Sequence, residues 1–154
     1  MIVFRISKGK YKTDLSGTGA ELYGGRWNNK GTKLIYTASS RALAMSEVAV
    51  HIPFNKLPKD YFLISIEVPE SKISIITEKD LKGINWKSNP PLYLTQEIGD
   101  KFVDEQKTLI LQVPSAVVSG DYNILLNPLH KEISKVKILN VEVFEFDMRL
   151  FKTK

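Results

Sequence analysis

The feature that most constrains the fold is a series of short segments rich in β-branched and aromatic residues, mostly joined without a helical pattern between them. YFLISIEVP (61–69) and VKILNVEVFEFD (136–147) alternate in polarity, which is typical of strands with two different faces. TLILQVPS (108–115) reads as a strand that ends at Pro114. Shorter strands are predicted at MIVFRI (1–6), LIYT (34–37), ISIIT (73–77) and YNILLN (122–127). Because strands outnumber helices, we expect one α+β domain over residues 1–154, with mixed or mainly antiparallel sheets.

Two segments carry a helical pattern instead. SRALAMSEVAVH (40–51) is apolar on nearly all sides at a helical period, so we expect a helix that is buried on most sides. Ser39 or Ser40 can cap its N-terminus. TQEIGDKFVDEQ (95–106) has apolar residues at helical spacing, and Thr95 is the expected N-cap.

Composition limits the classes of function. The 154 residues are 43% hydrophobic and contain no cysteine, which fits one globular domain without disulfides or thiolate chemistry. Two histidines without nearby carboxylate spacing give no reason to expect a metal or a bound cofactor. No segment resembles a membrane span or a signal peptide, so we expect a cytoplasmic protein with no membrane contact. The net charge of +5 fits either simple solubility or an anionic ligand.

Glu47 stands out because it lies inside the apolar helix, and burying a carboxylate is costly unless something compensates. The plainer interpretation is a structural ion pair or a contact with His51, four residues away. The functional interpretation is a carboxylate that faces a cleft together with an Arg from elsewhere. Arg26 is the candidate, because Gly24 and Gly25 allow a tight turn close to a ligand. Its planar guanidinium can bind two phosphate oxygens at once.

The region around Arg26 adds further candidates. Residues 7–33 are rich in Gly, Lys, Asn, Ser and Thr, which predicts a long loop with short structured pieces. Trp27 is expected to pack this loop onto the core, and residues 28–31 to form a turn. Tyr36, at a strand end before the helix, can stack on a planar heterocycle or pack against the core.

The order of six segments resembles the RES-domain family. They are FRI (4–6), YGGRWN (23–28), GTKLIYTASSRALAMSEVAVH (31–51), TQEIGD (95–100), LILQVPSAVV (109–118) and NILLNPLH (123–130). The family comprises toxins of bacterial toxin–antitoxin pairs with Xre-type antitoxins, and it is named after an Arg, a Glu and a Ser. Arg26, Glu47 and Ser115 match these positions. Two departures, VVS at 117–119 and Lys131 in place of a common Pro, lie outside them.

The resemblance implies a fold similar to ADP-ribosyltransferases, with NAD as a substrate and not as a resident cofactor. Members of the family hydrolyse or phosphorolyse NAD, or transfer ADP-ribose to a protein. Breaking the nicotinamide–ribose bond builds positive charge on the ribose, as in glycoside hydrolysis. Nicotinamide leaves as a neutral molecule, so one carboxylate suffices, and Glu47 would stabilise that cation. Arg26 would bind the pyrophosphate or hold Glu47 in place.

The resemblance assigns the remaining roles in the same way. Arg5 would make a second phosphate contact, and Tyr36 would stack on the nicotinamide ring. Ser115 would hydrogen-bond the ribose or the nicotinamide amide. Gly25 would let the backbone approach the substrate, and Asn28 would add a polar contact. A cognate Xre-type antitoxin, bound in a hetero-oligomeric complex, is implied as the protein partner.

Two functions of other classes stay open. The first is a basic nucleic-acid-binding or RNA-cleaving toxin, which would use the loop lysines Lys8, Lys10 and Lys12. The sequence lacks the aromatic motifs of common RNA modules and an evident His pair for RNA cleavage, so we expect no direct nucleic-acid contact. The second is a non-enzymatic interaction module, against which the presence of all three family-named residues argues.

Overall fold

The computed structural model describes residues 1–151, and its strands and helices follow the sequence closely. The strands are β1 (Ile2–Lys8), β2 (Ile35–Ala38), β3 (Tyr61–Glu67), β4 (Ile73–Ile75), β5 (Ile110–Pro114), β6 (Tyr122–Leu126) and β7 (Lys137–Val143). The α-helices are α1 (Thr18–Tyr23), α2 (Arg41–Ala49) and α3 (Tyr93–Glu105). Short 3-10 helices lie at Gly9–Tyr11, Lys131–Lys135 and Met148–Leu150.

The described strands form one sheet in the order β4-β5-β6-β2-β1-β3-β7. β4 and β5 are parallel, and the other neighbouring strands are antiparallel. The expectation of an α+β fold with a mixed, mainly antiparallel sheet is therefore confirmed. β1 pairs with β3 along its whole length but meets β2 only at the pair Phe4 and Ala38.

The two faces of the sheet bury different sets of apolar side chains, as alternation along a strand requires. On β6, Ile124 and Leu126 point to one face, which we call the first face, and Leu125 points to the other, the second face. Two clusters cover the second face side by side. The α3 cluster includes Trp27, Trp86, Phe102, Val113 and Leu125. The α2 cluster includes Ile6, Ala38, Leu43, Ala44 and Leu63.

Two expectations about the helices need correction. α3 begins at Tyr93, ahead of Thr95, because Leu92 takes the N-cap position and the Thr95 hydroxyl donates to its carbonyl oxygen (2.9 Å). α2 begins as predicted, with the Ser40 hydroxyl accepting from the Leu43 N–H (3.1 Å). However, α2 is not buried on most sides.

Only the side of α2 that faces the sheet is covered. Leu43 and Ala44 are buried, whereas Ala42 is exposed and Val50, just past the helix, is 58% exposed. Met45, Val48 and Ala49 are partly buried against the α2 cluster, so the helix is intermediate between a buried helix and a surface helix. Within residues 1–151, no helix combines the length and the apolar character that a membrane crossing requires.

Candidate active site

The loop that carries Arg26 is a tight turn built on two glycines. Gly24 has a φ of +68°, a backbone conformation that L side chains rarely adopt. The Gly25 N–H donates to the Asn28 carbonyl oxygen (3.0 Å), which closes the turn. A Cβ at Gly25 would lie 2.6 Å from the Tyr36 hydroxyl, so only glycine fits there without a shift. Gly25 thus lies close to Tyr36, and its approach to a substrate stays a prediction.

Asn28 and Tyr36 tie this loop to the sheet. Asn28 is fully buried, and its amide nitrogen contacts the carbonyl oxygens of Ala20 (2.8 Å) and Thr32 (3.1 Å). Its Oδ1 accepts from the Tyr36 hydroxyl (2.7 Å), which in turn accepts from the Trp27 N–H (3.0 Å). Burial raises the pKa of Tyr36, so this phenol stays a neutral donor. The predicted contact of Asn28 with a ligand is not available here, because its side chain is buried and engaged by the loop.

The Arg26 side chain extends from this turn, and backbone carbonyls hold one nitrogen of its guanidinium. Its Nη1 donates to the carbonyl oxygens of Trp86 (2.6 Å) and Ser88 (2.9 Å), which uses both hydrogens on that nitrogen. Nη2 and Nε stay available for other acceptors. Partial burial lowers the pKa of Arg26, and the negative charge of Glu47 opposes that shift. Glu47 is thus close enough to Arg26 to interact electrostatically, although the two do not form a direct ion pair.

Glu47 is half-buried on α2 and is held by Ser115. The Ser115 hydroxyl donates to Glu47 Oε1 (2.8 Å) and accepts from the N–H groups of Val117 (3.1 Å) and Val118 (3.0 Å). Ser115 is fully buried, and these three bonds use the whole capacity of its hydroxyl. The expected contact of Ser115 with ribose or nicotinamide is therefore not met. Its hydroxyl orients Glu47 instead, while His51 is exposed beyond the end of α2.

These side chains meet where the two clusters of the second face adjoin. On β2, Tyr36 packs against the α3 cluster and Ala38 belongs to the α2 cluster. The turn after β5 repeats this division, with Ala116 packed on the α3 cluster and Val118 on the α2 cluster. The structure thus brings Arg26, Tyr36, Glu47 and Ser115 to one seam, although Ser115 and Glu47 are 68 residues apart in sequence.

Arg5 is not part of this group. It pairs with Ile64 across β1 and β3, and Ile64 belongs to the core of the first face, so the Arg5 side chain starts from the face opposite Tyr36. Its Nη1 donates to the Asp14 carbonyl oxygen (2.6 Å), and burial lowers its pKa. The structure thus places Arg5 on the other face of the sheet from Tyr36, which does not favour a phosphate site shared with Arg26. The phosphate contact of Arg5 itself stays a prediction.

The structure also adds site residues that were not assigned a role from the sequence. Trp86 and Ser88 contribute backbone carbonyls, which no side-chain pattern can reveal. Gln96 and Asp100 of α3 bond the Arg26 loop, and they lie in the TQEIGD segment that resembles the family. The resemblance of that segment to the family was the sequence signal that could have identified Gln96 and Asp100. In the described part of the chain, no group of three or more His, Asp or Glu side chains could hold a metal ion.

The lysines that suggested nucleic-acid binding interact with aromatic rings of this chain. Lys8 Nζ lies 4.2 Å from the centre of the Tyr61 ring and donates to the Lys59 carbonyl oxygen (2.6 Å). Lys12 lies over Phe62, and Lys10 over Tyr11. Cation–π contacts of this kind explain their placement without an external anion.

Fold and site together define a class: an α+β protein whose described strands form one mixed sheet, with an Arg, a Glu and a Ser gathered at one seam. The fold is similar to a chain of the M. tuberculosis MbcT–MbcA toxin–antitoxin complex, with a TM-score of 0.68 over 97% of this chain and 86% of that chain, at 20% identity. The RES domain matches residues 2–149. The chain therefore belongs to the RES-domain family of toxins, as the sequence indicated.

Relatives with curated names match along nearly their whole length. "Toxin Res" of Photorhabdus laumondii is 41% identical, with 100% of this chain and 99% of that protein aligned. "Toxin Res" of Yersinia enterocolitica is 40% identical over 97% of this chain and 99% of that protein. The "Prs ADP-ribosylating toxin" of a Sphingobium species is 36% identical over 90% of this chain and 88% of that protein.

Proposed function

We propose that this protein is the toxin of a toxin–antitoxin pair and that it cleaves the nicotinamide–ribose bond of NAD. The observation that carries the proposal is the seam itself. A half-buried carboxylate, Glu47, is held by a buried hydroxyl and lies near a guanidinium, Arg26, without closing an ion pair. Such an arrangement keeps a negative charge and a positive charge separately available to a substrate that carries both signs.

The chemistry follows from the charges on each part of NAD. When nicotinamide leaves, its ring nitrogen takes the bonding electrons and becomes neutral, and the ribose C1′ becomes cationic. Glu47 would stabilise that cation, because preorganised charge aimed at a developing charge lowers the barrier. The hydrogen bond from Ser115 supports this role, since it holds one carboxylate oxygen and leaves the other unassigned. Water or phosphate would then attack C1′.

Arg26 would bind the pyrophosphate through Nη2 and Nε, the nitrogens not used by Trp86 and Ser88. Tyr36 would offer its ring to the nicotinamide while its hydroxyl stays with Asn28 and Trp27. The fixed hydroxyl supports this proposal, because it holds the Tyr36 ring in one position, where it is partly buried against the α3 cluster.

A second candidate is transfer of ADP-ribose to a protein. The name of the Sphingobium relative favours it. The step at C1′ is the same, and only the acceptor differs: a protein side chain instead of water or phosphate. Label from NAD that stays on protein after denaturation would support this candidate, whereas free ADP-ribose or its phosphorylated form would support NAD breakdown.

The test is nicotinamide release from NAD by the purified protein, with and without phosphate, beside the variant Glu47→Gln. That substitution keeps the shape and removes the charge, so we expect a loss of about 100- to 1,000-fold in kcat. The melting temperature should stay close to that of the wild type, because Gln can still accept from Ser115.

Glu142→Gln is the matched control, since Glu142 is an exposed carboxylate that pairs with Arg41 at the start of α2 (2.7 Å). It should cleave NAD like the wild type, because a surface ion pair contributes little. Equal rates for Glu47→Gln and Glu142→Gln would contradict a role for Glu47 in the reaction. A folded wild-type protein that neither releases nicotinamide nor labels a protein would contradict the proposal as a whole.

An antitoxin protein of the Xre type is the partner that we propose, and NAD would meet the toxin in the cytoplasm. The likeness in fold to a chain of a toxin–antitoxin complex supports a partner of this kind. The simplest inhibition is that the antitoxin covers the seam that holds Arg26 and Glu47. Nicotinamide release should then fall to background when the two proteins are mixed in equal amounts.

A further inference from the structure

One side of α3 contacts the loop that carries Arg26. Gly99 and Asp100 follow Gln96 by three and four residues, so both lie on the same side of the helix as Gln96. Phe102 and Val103 pack into the α3 cluster, as an amphipathic helix requires. Gln96, Gly99 and Asp100 contact residues 25–29 instead. We call these three residues the loop clamp.

Asp100 makes the stronger contact of the clamp. Its Oδ1 accepts from the Asn29 N–H (3.0 Å) and its Oδ2 accepts from Asn29 Nδ2 (2.8 Å). Both carboxylate oxygens are thus used on one residue, and the two bonds fix its position and its orientation. Hydrogen bonds to an ionised acceptor are stronger than those between neutral groups.

The other two members hold the opposite end and the middle of the loop. Gln96 Nε2 donates to the Gly25 carbonyl oxygen (3.0 Å). Gly99 lies so close to the loop that a Cβ there would clash with the backbone carbonyl of Trp27. The clamp therefore fixes residues 25, 27 and 29, and Arg26 lies between two of the fixed points.

We propose that Gln96 and Asp100 are positioning residues, which set the direction from which the Arg26 guanidinium enters the seam. Arg26 is gripped at its tip by Trp86 and Ser88, and the clamp fixes the backbone at its base. Both ends must be in place for Nη2 and Nε to face a bound anion. The role in catalysis rests on the proposed function, whereas the effect on the loop does not.

The experiment compares Asp100→Ala and Asp100→Asn with Asp104→Ala, which removes an exposed carboxylate one turn further along α3. If Arg26 binds the pyrophosphate, loosening its base weakens binding of substrate and transition state alike. We expect the KM of Asp100→Ala for NAD to rise about 10- to 100-fold while kcat changes much less, since small misplacements of positioning groups have effects of that size. Asp100→Asn keeps one acceptor and should lie between Asp100→Ala and the wild type.

Tryptophan fluorescence reports on the loop independently of NAD. The two tryptophans both adjoin Arg26: Trp27 follows it in the loop, and the Trp86 carbonyl oxygen accepts from its guanidinium. Their ring centres are 6.4 Å apart, and both side chains are buried. We expect Asp100→Ala to increase quenching by acrylamide and Asp104→Ala to leave it unchanged. A wild type without NAD cleavage would contradict the proposed function but not the clamp, which the quenching still tests. Unchanged quenching together with an unchanged KM for Asp100→Ala would overturn the clamp.

Discussion

The two segments that present Arg26 and Glu47 are held in opposite ways. The loop from Gly24 to Asn29 is polar and glycine-rich, yet buried side chains and hydrogen bonds fix it on several sides. Helix α2 is rich in apolar residues, yet only Leu43 and Ala44 are fully buried, and Val50 just past its end is 58% exposed. The segment that looks loose in sequence is the more firmly tied, and the segment that looks buried is the more open.

The comparison teaches that burial is decided by partners and not by composition. The loop is buried because α3, Tyr36 and the chain at Trp86 and Ser88 each satisfy some of its polar groups. No buried side-chain nitrogen or oxygen among the described residues lacks a partner. A polar segment can enter a protein interior on that condition. On α2, Ala42 and the following Val50 stay at the surface, whereas Leu43 and Ala44 are buried in the α2 cluster.

The largest change in the free energy of unfolding should come from Asn28→Ala, which removes the buried side-chain amide of the loop. The change removes the acceptor of the Tyr36 hydroxyl proton and the side-chain donor to the Thr32 carbonyl, whereas the Ala20 carbonyl keeps the Gly24 N–H (2.8 Å). Each unsatisfied buried group is costly, so we expect a loss of about 3 kcal/mol or more in the free energy of unfolding. Urea denaturation measures it. Asn140→Ala, at an exposed asparagine on β7, should change the free energy by less than about 0.5 kcal/mol. Similar losses in the two variants would mean that the loop is not fixed through Asn28.

A smaller effect is expected from the ionisation of Tyr36. Burial raises the pKa of this phenol above its ordinary value of 10.0, so the folded protein keeps a proton that the unfolded chain releases. The stabilising contribution is complete below about pH 10 and is lost as the pH rises toward the folded-state pKa, with a slope of at most about 1.4 kcal/mol per pH unit. Urea unfolding of the wild type and Tyr36→Phe between about pH 9 and 11 measures it.

The quantity to compare between the wild type and Tyr36→Phe is the slope of the free energy of unfolding against pH. Tyr36→Phe should have the flatter slope, because it has no proton to release at this position. Tyr23→Phe is the control, since Tyr23 is 78% exposed and its loss should leave the slope nearly that of the wild type. Parallel slopes for the wild type and Tyr36→Phe would show that the Tyr36 hydroxyl is not held neutral by the fold.

The strands could be predicted from the sequence because their pattern is local. Alternation at 61–69 and the apolar run before Pro114 each gave a strand close to its observed position. The cap of α2 at Ser40 was equally readable, since capping depends on a few adjacent residues. Information of this kind lies within one segment, so no tertiary structure is needed to use it.

The site could be predicted only in part. The resemblance to a family pointed to Arg26, Glu47 and Ser115, and the structure brings them to one seam. The detailed arrangement could not be read, because it depends on contacts between distant segments: Ser115 bonds Glu47 across 68 residues, and Asp100 bonds Asn29 across 71. A serine or asparagine that serves another side chain has the same sequence signature as one that serves a ligand.

The smallest effect should come from the outer side of α2 and would sharpen the contrast with the loop. Val50→Ser replaces a side chain that is 58% exposed, so the free energy of unfolding should change by less than about 0.5 kcal/mol. A helix buried on most sides, as the composition suggested, would instead lose 1 kcal/mol or more, roughly the transfer and cavity cost of deleted buried methyl groups. Urea denaturation at two protein concentrations about 100-fold apart separates the cases, because a loss seen only at the higher concentration would mean that a second copy covers this side of α2.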